Sequence, residues 1–226
     1  MAVGLRIKTN FERPDRALVE AFRGIPAANI DDCMNRMGSL EARIEPMNHA
    51  PLLGTAFTVR CPAGDNLFFH KALDMAQPGD VLVIAAGGSM SRALCGEIMA
   101  TYARSRGLAG FIIDGCVRDR DELAAFTDFP VYARGVVPNG PYKNGPGEIG
   151  YPVAVGGQVI FPGDILVGDG DSVVVIRPED APELAKAAAA VKVKEGGQLD
   201  GIRTGKGFPR PFVDDTLGKL GVEYVD

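Results

Sequence analysis

The chain of 226 residues is long enough to bury a sizeable core, and its 46% hydrophobic and 23% charged content is ordinary for a soluble globular protein. A formal net charge of −5, with no Lys/Arg cluster, argues against a nucleic-acid surface, and no apolar run approaches the roughly 18 residues of a membrane span. The 4 cysteines are scattered without a C-x-x-C pair, and Met1-Ala2-Val3-Gly4-Leu5-Arg6 opens no signal-type apolar segment, so a reduced, cytoplasmic protein without nucleic-acid or membrane partners is expected.

The N-terminal part offers helices over 14–22 and 29–37, closed by Gly24 and Gly38. Alternation and β-formers over 53–61 predict a strand. A turn over 62–66 follows, in which Asp65 or Asn66 is placed to cap a helix over 67–76. The unbroken apolar run 81–86 reads as a buried strand. Gly87-Gly88-Ser89-Met90-Ser91 then reads as a loop into a helix over 92–106. Its apolar face is Leu94, Cys95, Ile98, Met99, Tyr102 and Ala103, with Glu97, Thr101 and Arg104 on the polar face.

After Gly107 a strand over 111–115 breaks at Gly115, and a short helix over 121–126 leads to a strand over 131–134. Residues 138–150 are a Gly/Pro/Asn-rich loop, followed by strands over 153–155, 158–161, 165–168 and 172–176. An alanine-rich helix opens near Pro178, Glu179 and Asp180 and runs to about 195, where Gly196-Gly197 end it; one short helix is expected over 216–220. No linker or repeat divides the chain, so residues 1–226 read as one α/β domain of stacked layers.

Arg118 and Asp119 stand where the 111–115 strand gives way to a helix, the place where open α/β sheets put their chemistry. A fork of donors beside a hard carboxylate suits an anionic oxygen ligand held together with a divalent cation. The alternative is an Asp helix cap beside a solvated Arg. Gly168-Asp169-Gly170-Asp171-Ser172-Val173 lacks the third glycine of a dinucleotide fingerprint and precedes a strand, so it reads as a turn. There is no P-loop and no G-x-S-x-G elbow.

With only His49 and His70, a His-rich zinc site is excluded, and His70 reads as a packed or surface residue. Oxygen-ligand chemistry remains. Asp119, Asp114, Glu97, Asp65 and Glu122 fall at strand ends, helix starts or polar helix faces, and carboxylates with water suit Mg²⁺ or Mn²⁺. Glu97 is equally read as solvated on its helix face. A Schiff-base route needs a desolvated lysine, for which Lys71 is the candidate. No glycine-rich strand-to-helix turn suits a methyltransferase's nucleoside cofactor.

The stretch Gly110-Phe-Ile-Ile-Asp-Gly-Cys-Val-Arg-Asp119 resembles the signature of the RraA-like family, which includes class II pyruvate aldolases acting on 4-hydroxy-4-methyl-2-oxoglutarate and 4-carboxy-4-hydroxy-2-oxoadipate. Three further blocks agree: 62–66, Cys95-Gly96-Glu97, and 152–169; the resemblance runs in order over about 25–197, leaving 198–226 as an extension. It implies a layered αββα sandwich of the swivelling-domain type, assembled as a homotrimer or a dimer of trimers. It implies an Mg²⁺ or Mn²⁺ ion on Asp119 and substrate binding by Arg118. Glu97 would hold a water near the scissile bond, Asn66 would line the site, and the backbone after Gly96 (Glu97, Ile98, Met99) would receive the pyruvyl carboxylate. Glu195 matches a glutamate supplied by the neighbouring subunit. The implied activity is a metal-dependent carbon–carbon lyase releasing pyruvate from a 4-hydroxy-2-oxo dicarboxylic or tricarboxylic acid, with oxaloacetate decarboxylation as a side reaction. The alternative is a non-catalytic, protein-binding regulator of the RNase E inhibitor type. The stretch 200–209 departs from the aldolases' C-terminal pattern.

Overall fold

The computed structural model describes residues 2–225. They form β1 (Leu5–Ile7), α1 (Arg16–Glu20), α2 (Ala27–Cys33), β2 (Glu45–Pro46), β3 (Leu52–Arg60), α3 (Leu67–Met75), β4 (Asp80–Cys95), α4 (Glu97–Ser105) and β5 (Gly110–Val117). There follow α5 (Arg120–Ala124), β6 (Val131–Val136), β7 (Gly147–Ile149), β8 (Val153–Val155), β9 (Gln158–Ile160), β10 (Ile165–Asp169), β11 (Ser172–Ile176), α6 (Ala181–Arg203) and α7 (Pro211–Leu220). Contacts divide the chain into two compact units, Met1–Ala189 and Ala190–Asp226.

In the first unit β3, β4, β5 and β6 run parallel. β3 is shared: Leu52 to Thr55 also pair antiparallel with β10, which pairs with β11. The period of two along each strand then sorts the apolar residues into layers. Phe57, Val59, Leu82, Ile84, Phe111 and Ile113 face Phe69, Leu73, Met99 and Leu123 of α3, α4 and α5. Their neighbours Ala56, Val81, Val83 and Ile112 face Leu166, Val173 and Val175 of β10 and β11. The opposite sides of those two strands, Ile165, Val167, Val174 and Ile176, pack on Val19, Ile30, Leu184 and Ala188. The order is helices, sheet, sheet, helices: the αββα sandwich. β8 and β9 add Val153, Val155 and Ile160 to the middle layer.

The second unit holds the end of α6 and all of α7. α7 has Pro at its start and the left-handed Gly221 (φ 69°) just past its end, the usual asymmetry of helix termini.

Several sequence expectations are corrected. Residues 87–91 are not a loop, and the helix expected over 92–106 starts only at Glu97. Gly87 and Gly88 (both φ 67°) bend the chain, but β4 continues along β5 with shifted register, pairing Ser89 with Gly115, Ala93 with Cys116 and Cys95 with Val117. Such bulges re-aim a strand without ending it. Leu94 and Cys95 are therefore buried strand residues, while α4 buries Met99, Ala100 and Ala103 and leaves Ile98 79% exposed. For the same reason β5 does not break at Gly115 but runs to Val117.

Gly196-Gly197 do not end α6, which reaches Arg203. Neither adopts the positive φ of a terminating glycine. The 138–150 loop contains β7, whose Glu148 is held by Arg6 and Arg60. The short β1 and β2 carry too few residues for a periodic signal. Among the described residues, no helix is long and apolar enough to cross a membrane.

Candidate active site

The ends of β4 and β5 lie side by side, and the Arg118 N–H donates to the Cys95 carbonyl at 3.0 Å. Helices α4 and α5 therefore start next to each other, each presenting N–H groups without intrahelical partners. Asp119 precedes α5 in the left-handed region (φ 57°, ψ 49°), which Asp tolerates better than most residues. Its side chain does not cap α5. Instead Oδ2 accepts the Glu97 N–H at 3.0 Å, so Asp119 caps the neighbouring helix α4.

Gly96 makes that crossing possible. Its backbone is extended (φ −153°), so its role is space: a Cβ there would stand 2.1 Å from Asp119 Oδ2 and 2.8 Å from Arg118 Cγ. Arg118 Nε is 3.6 Å from Asp119 Oδ2, beyond hydrogen-bond range, and both side chains are well exposed. The fork and the carboxylate are adjacent, and neither consumes the other.

Asn66, Gly96, Ile98, Met99, Arg118 and Asp119 line one cavity of about 170 Å³. Glu97 contributes its amide to the carboxylate at the cavity, while its exposed side chain lies outside the lining. Glu195 is on α6 in the second unit. Asn66 is 2% exposed; its Nδ2 donates to the Leu94 carbonyl at 2.7 Å and contacts Met99 Sδ at 3.5 Å. Its Oδ1 is buried without a hydrogen-bond donor. Flipping the amide would set Oδ1 against the Leu94 carbonyl, so the amide orientation is fixed.

The sequence reading did not assign His70, Pro141 and Lys143 to the site, yet they too line the cavity, together with Ala93, Leu94 and Cys95 at the end of β4. His70 is half-buried on α3, and burial, then the charge of Lys143, hold its pKa below the ordinary value, with Asp74 opposing. Cys95 is buried, and burial followed by the Asp119 charge pushes its thiol up, against the pull of Arg118. A thiol so placed is not a nucleophile. Lys71 is exposed and outside the lining, unlike the desolvated lysine a Schiff base requires. The 168–173 stretch is the β10–β11 turn, with Asp169 paired to Ser172.

Among the described residues no group of three or more His, Cys, Asp or Glu side chains is arranged to hold a metal. Asp119 is the one carboxylate in the lining. This donor set matches a cation that keeps most of its water and takes one carboxylate plus substrate oxygens, the habit of Mg²⁺.

The family description RraA-like, Aldolase/RraA, matches residues 27–175. A Halalkalibacterium halodurans protein, provisionally named a 4-hydroxy-4-methyl-2-oxoglutarate aldolase, is 40% identical over 159 residues, covering 70% of this chain and 75% of that one. Among solved structures, the RNA-processing inhibitor RraA from Thermus thermophilis is 30% identical with a TM-score of 0.60, covering 66% of this chain and 91% of its own. Streptomyces coelicolor RraAS2, of the RNase ES inhibitor RraA family, is 27% identical with a TM-score of 0.73, covering 83% and 98%. With the αββα layers and the 110–119 signature in its place at the β5 end, the chain belongs to the RraA-like, Aldolase/RraA family.

Proposed function

We propose that the protein is a divalent-metal-dependent carbon–carbon lyase that releases pyruvate from a 4-hydroxy-2-oxo acid. One observation carries this reading: Asp119, Arg118 and the N-terminal turn of α4 converge on a single cavity. Mg²⁺ or Mn²⁺ held by Asp119 would supply electrophilic stabilisation of the enolate oxygen that forms as the bond breaks.

The chain's own groups supply the rest. The Glu97 N–H is taken by Asp119, so the Ile98 and Met99 N–H groups are the donors for the pyruvyl carboxylate, helped by the positive end of α4. Arg118 faces the charge that grows at the keto oxygen, a contribution of about 2–4 kcal/mol for one such donor. Glu97, exposed beside the site, holds the water that takes the C4 hydroxyl proton and later returns one to the enolate carbon. Oxaloacetate decarboxylation passes through the same enolate and shares these groups.

Exposed Leu67, Ile98 and Tyr102 border a groove that shares His70, Ile98 and Met99 with the cavity. A second copy covering that groove accords with a homotrimer or a dimer of trimers in which Glu195 serves a neighbour's site. The second reading, a non-catalytic regulator that binds an RNase E-type protein, draws on the names of the two solved relatives. A binder has no need of a cavity that assembles an arginine, a carboxylate and oriented amides.

The deciding experiment follows pyruvate release from 4-hydroxy-4-methyl-2-oxoglutarate and from oxaloacetate with Mg²⁺ or Mn²⁺, beside a chelator control and Asp119→Ala. Metal-dependent pyruvate that is lost in the variant is the expected result. No turnover together with no metal binding rejects the enzyme reading.

A further inference from the structure

The segment 137–146 between β6 and β7 carries two Asn-Gly pairs, Asn139-Gly140 and Asn144-Gly145. An Asn followed by Gly is a labile amide, because glycine has no side chain to hinder its own nitrogen. That nitrogen, once it gives up its proton, attacks the side-chain carbon of the preceding Asn. What holds the glycine N–H, and the charge around it, set how readily the proton leaves. The fold treats the two pairs in opposite ways.

At the second pair the glycine nitrogen is blocked. The Asn144 and Gly145 N–H groups both donate to Asp65 Oδ2, at 2.6 and 3.1 Å. Asp65 is 4% exposed, and its Oδ1 accepts the Leu67 N–H at 2.9 Å. Taking the proton from Gly145 would break a charge-assisted hydrogen bond and set a negative nitrogen against a buried carboxylate.

At the first pair each of these features is reversed. The Gly140 N–H donates to no group among the described residues, and Asn139 is exposed. The Asn139 carbonyl accepts the Ala93 N–H at 2.8 Å, which polarises the shared peptide and makes the Gly140 N–H more acidic. The nearby charges are positive. Arg92 Nη1 donates to the Gly140 carbonyl at 2.8 Å, and a Cβ on Gly140 would stand 3.3 Å from Arg118 Nη1. Two permanent guanidinium charges therefore favour an anionic nitrogen at 140. The Asn139 side chain makes one long contact, Nδ2 to the Ser91 carbonyl at 3.4 Å.

We propose that Asn139 is a site of spontaneous deamidation, and that the carboxylate it gains draws Arg118 away from the cavity. The Gly140 nitrogen bonds to Asn139 Cγ as the Cγ–Nδ2 bond breaks, and ammonia leaves with the proton lost from that nitrogen. Solvent water then opens the succinimide ring at either carbonyl. One product is an ordinary aspartate; the other runs the main chain through the former side chain and leaves the α-carboxylate free. Both put a negative charge one residue from the point where Arg118 approaches Gly140. The modification stands independently of the lyase reading, and only its effect on turnover rests on that reading.

The test follows both asparagines by peptide mass spectrometry in heavy-oxygen water at pH 8, in the native protein and in urea. In urea the two pairs convert at similar rates. In the native protein Asn144 lags Asn139 by roughly 10- to 100-fold, the scale of one hydrogen bond to a charged group. Arg118→Met slows conversion at 139 in the native protein and leaves it unchanged in urea. Equal native rates or a faster Asn144 overturn the assignment, and so does an Asn139 that stays intact while the unfolded chain converts. Pyruvate assays on the same samples read the consequence. Wild type loses activity in step with conversion at 139, whereas Asn139→Gln keeps its activity over the same interval. Full activity after conversion overturns the link to Arg118. Absence of turnover at every time point rejects the lyase reading, and the mass measurements still decide the Asn139 assignment.

Discussion

The Glu97 N–H and the Asp119 carboxylate are 3.0 Å apart and tie together the starts of two helices that their paired strands bring side by side. The residue that opens α5 caps α4, and the carboxylate proposed to hold the cation is oriented by the first amide of the helix proposed to hold the substrate. Its alignment is set before any ligand arrives, which is what precise catalysis requires.

That alignment depends on an absent side chain at Gly96. In Gly96→Ala the new methyl would lie 2.1 Å from Asp119 Oδ2, so the carboxylate must turn away from Glu97 N–H. We expect kcat/KM to fall by about 100-fold, the usual cost of a displacement near 1 Å. Steady-state pyruvate assays, with circular dichroism to verify folding, check this.

Arg118→Ala should separate binding of the cation from transition-state stabilisation. Arg118 is solvent-accessible and outside the buried clusters, so the variant folds normally and still binds Mn²⁺. Its kcat/KM drops by about 30- to 1000-fold, the equivalent of 2–4 kcal/mol. Electron paramagnetic resonance of bound Mn²⁺ alongside the kinetics distinguishes this outcome from Asp119→Ala, which loses both.

His70 should titrate below its ordinary value of 6.5, first because it is partly buried and then because Lys143 is near. The unfolded chain then binds the His70 proton at a higher pH than the folded chain does. Stability from this group is complete above 6.5 and is lost as pH falls through the depressed folded value. Proton NMR of the imidazole measures the midpoint, and Lys143→Met should move it upward.

Thiol chemistry provides a check on the layers. Cys61, Cys95 and Cys116 are buried and Cys33 is partly exposed. Burial, with the nearby Asp65 charge, pushes the Cys61 thiol up to about 12. Under native conditions at pH 8, iodoacetamide should modify Cys33 alone, and the other three should react only on unfolding; mass spectrometry of the labelled peptides reads the order.

Much of the middle of the molecule was legible because strands buried on both faces leave long apolar runs, as in 81–86 and 111–115, and because 172–176 is bounded by turns. The segment 92–95 was misread for a physical reason. Leu94 and Cys95 fall at helical spacing from Ile98 and Met99 by coincidence, while the residues that bend β4 are glycines, which equally announce a loop. The strand end marked Arg118 and Asp119 as candidates but equally allowed a helix cap, and it was the resemblance over 110–119 that singled them out. The position of Lys143 could not be found, since it depends on Asp65 and Arg92 reaching a loop far along the chain, and Gly/Pro/Asn content shows only that a loop is present. Nor did local sequence indicate that Asp119 serves α4, because helix-cap patterns are read within one helix and this cap crosses between two.

Every side chain in the three apolar clusters precedes Ala189, and no described residue from 190 onward is buried. Core packing within the described chain therefore stops near the middle of α6. Beyond that point a side chain cut back to alanine leaves no cavity inside the described chain, so a truncation scan of 190–225 reads out the role of those residues with little background from lost core packing.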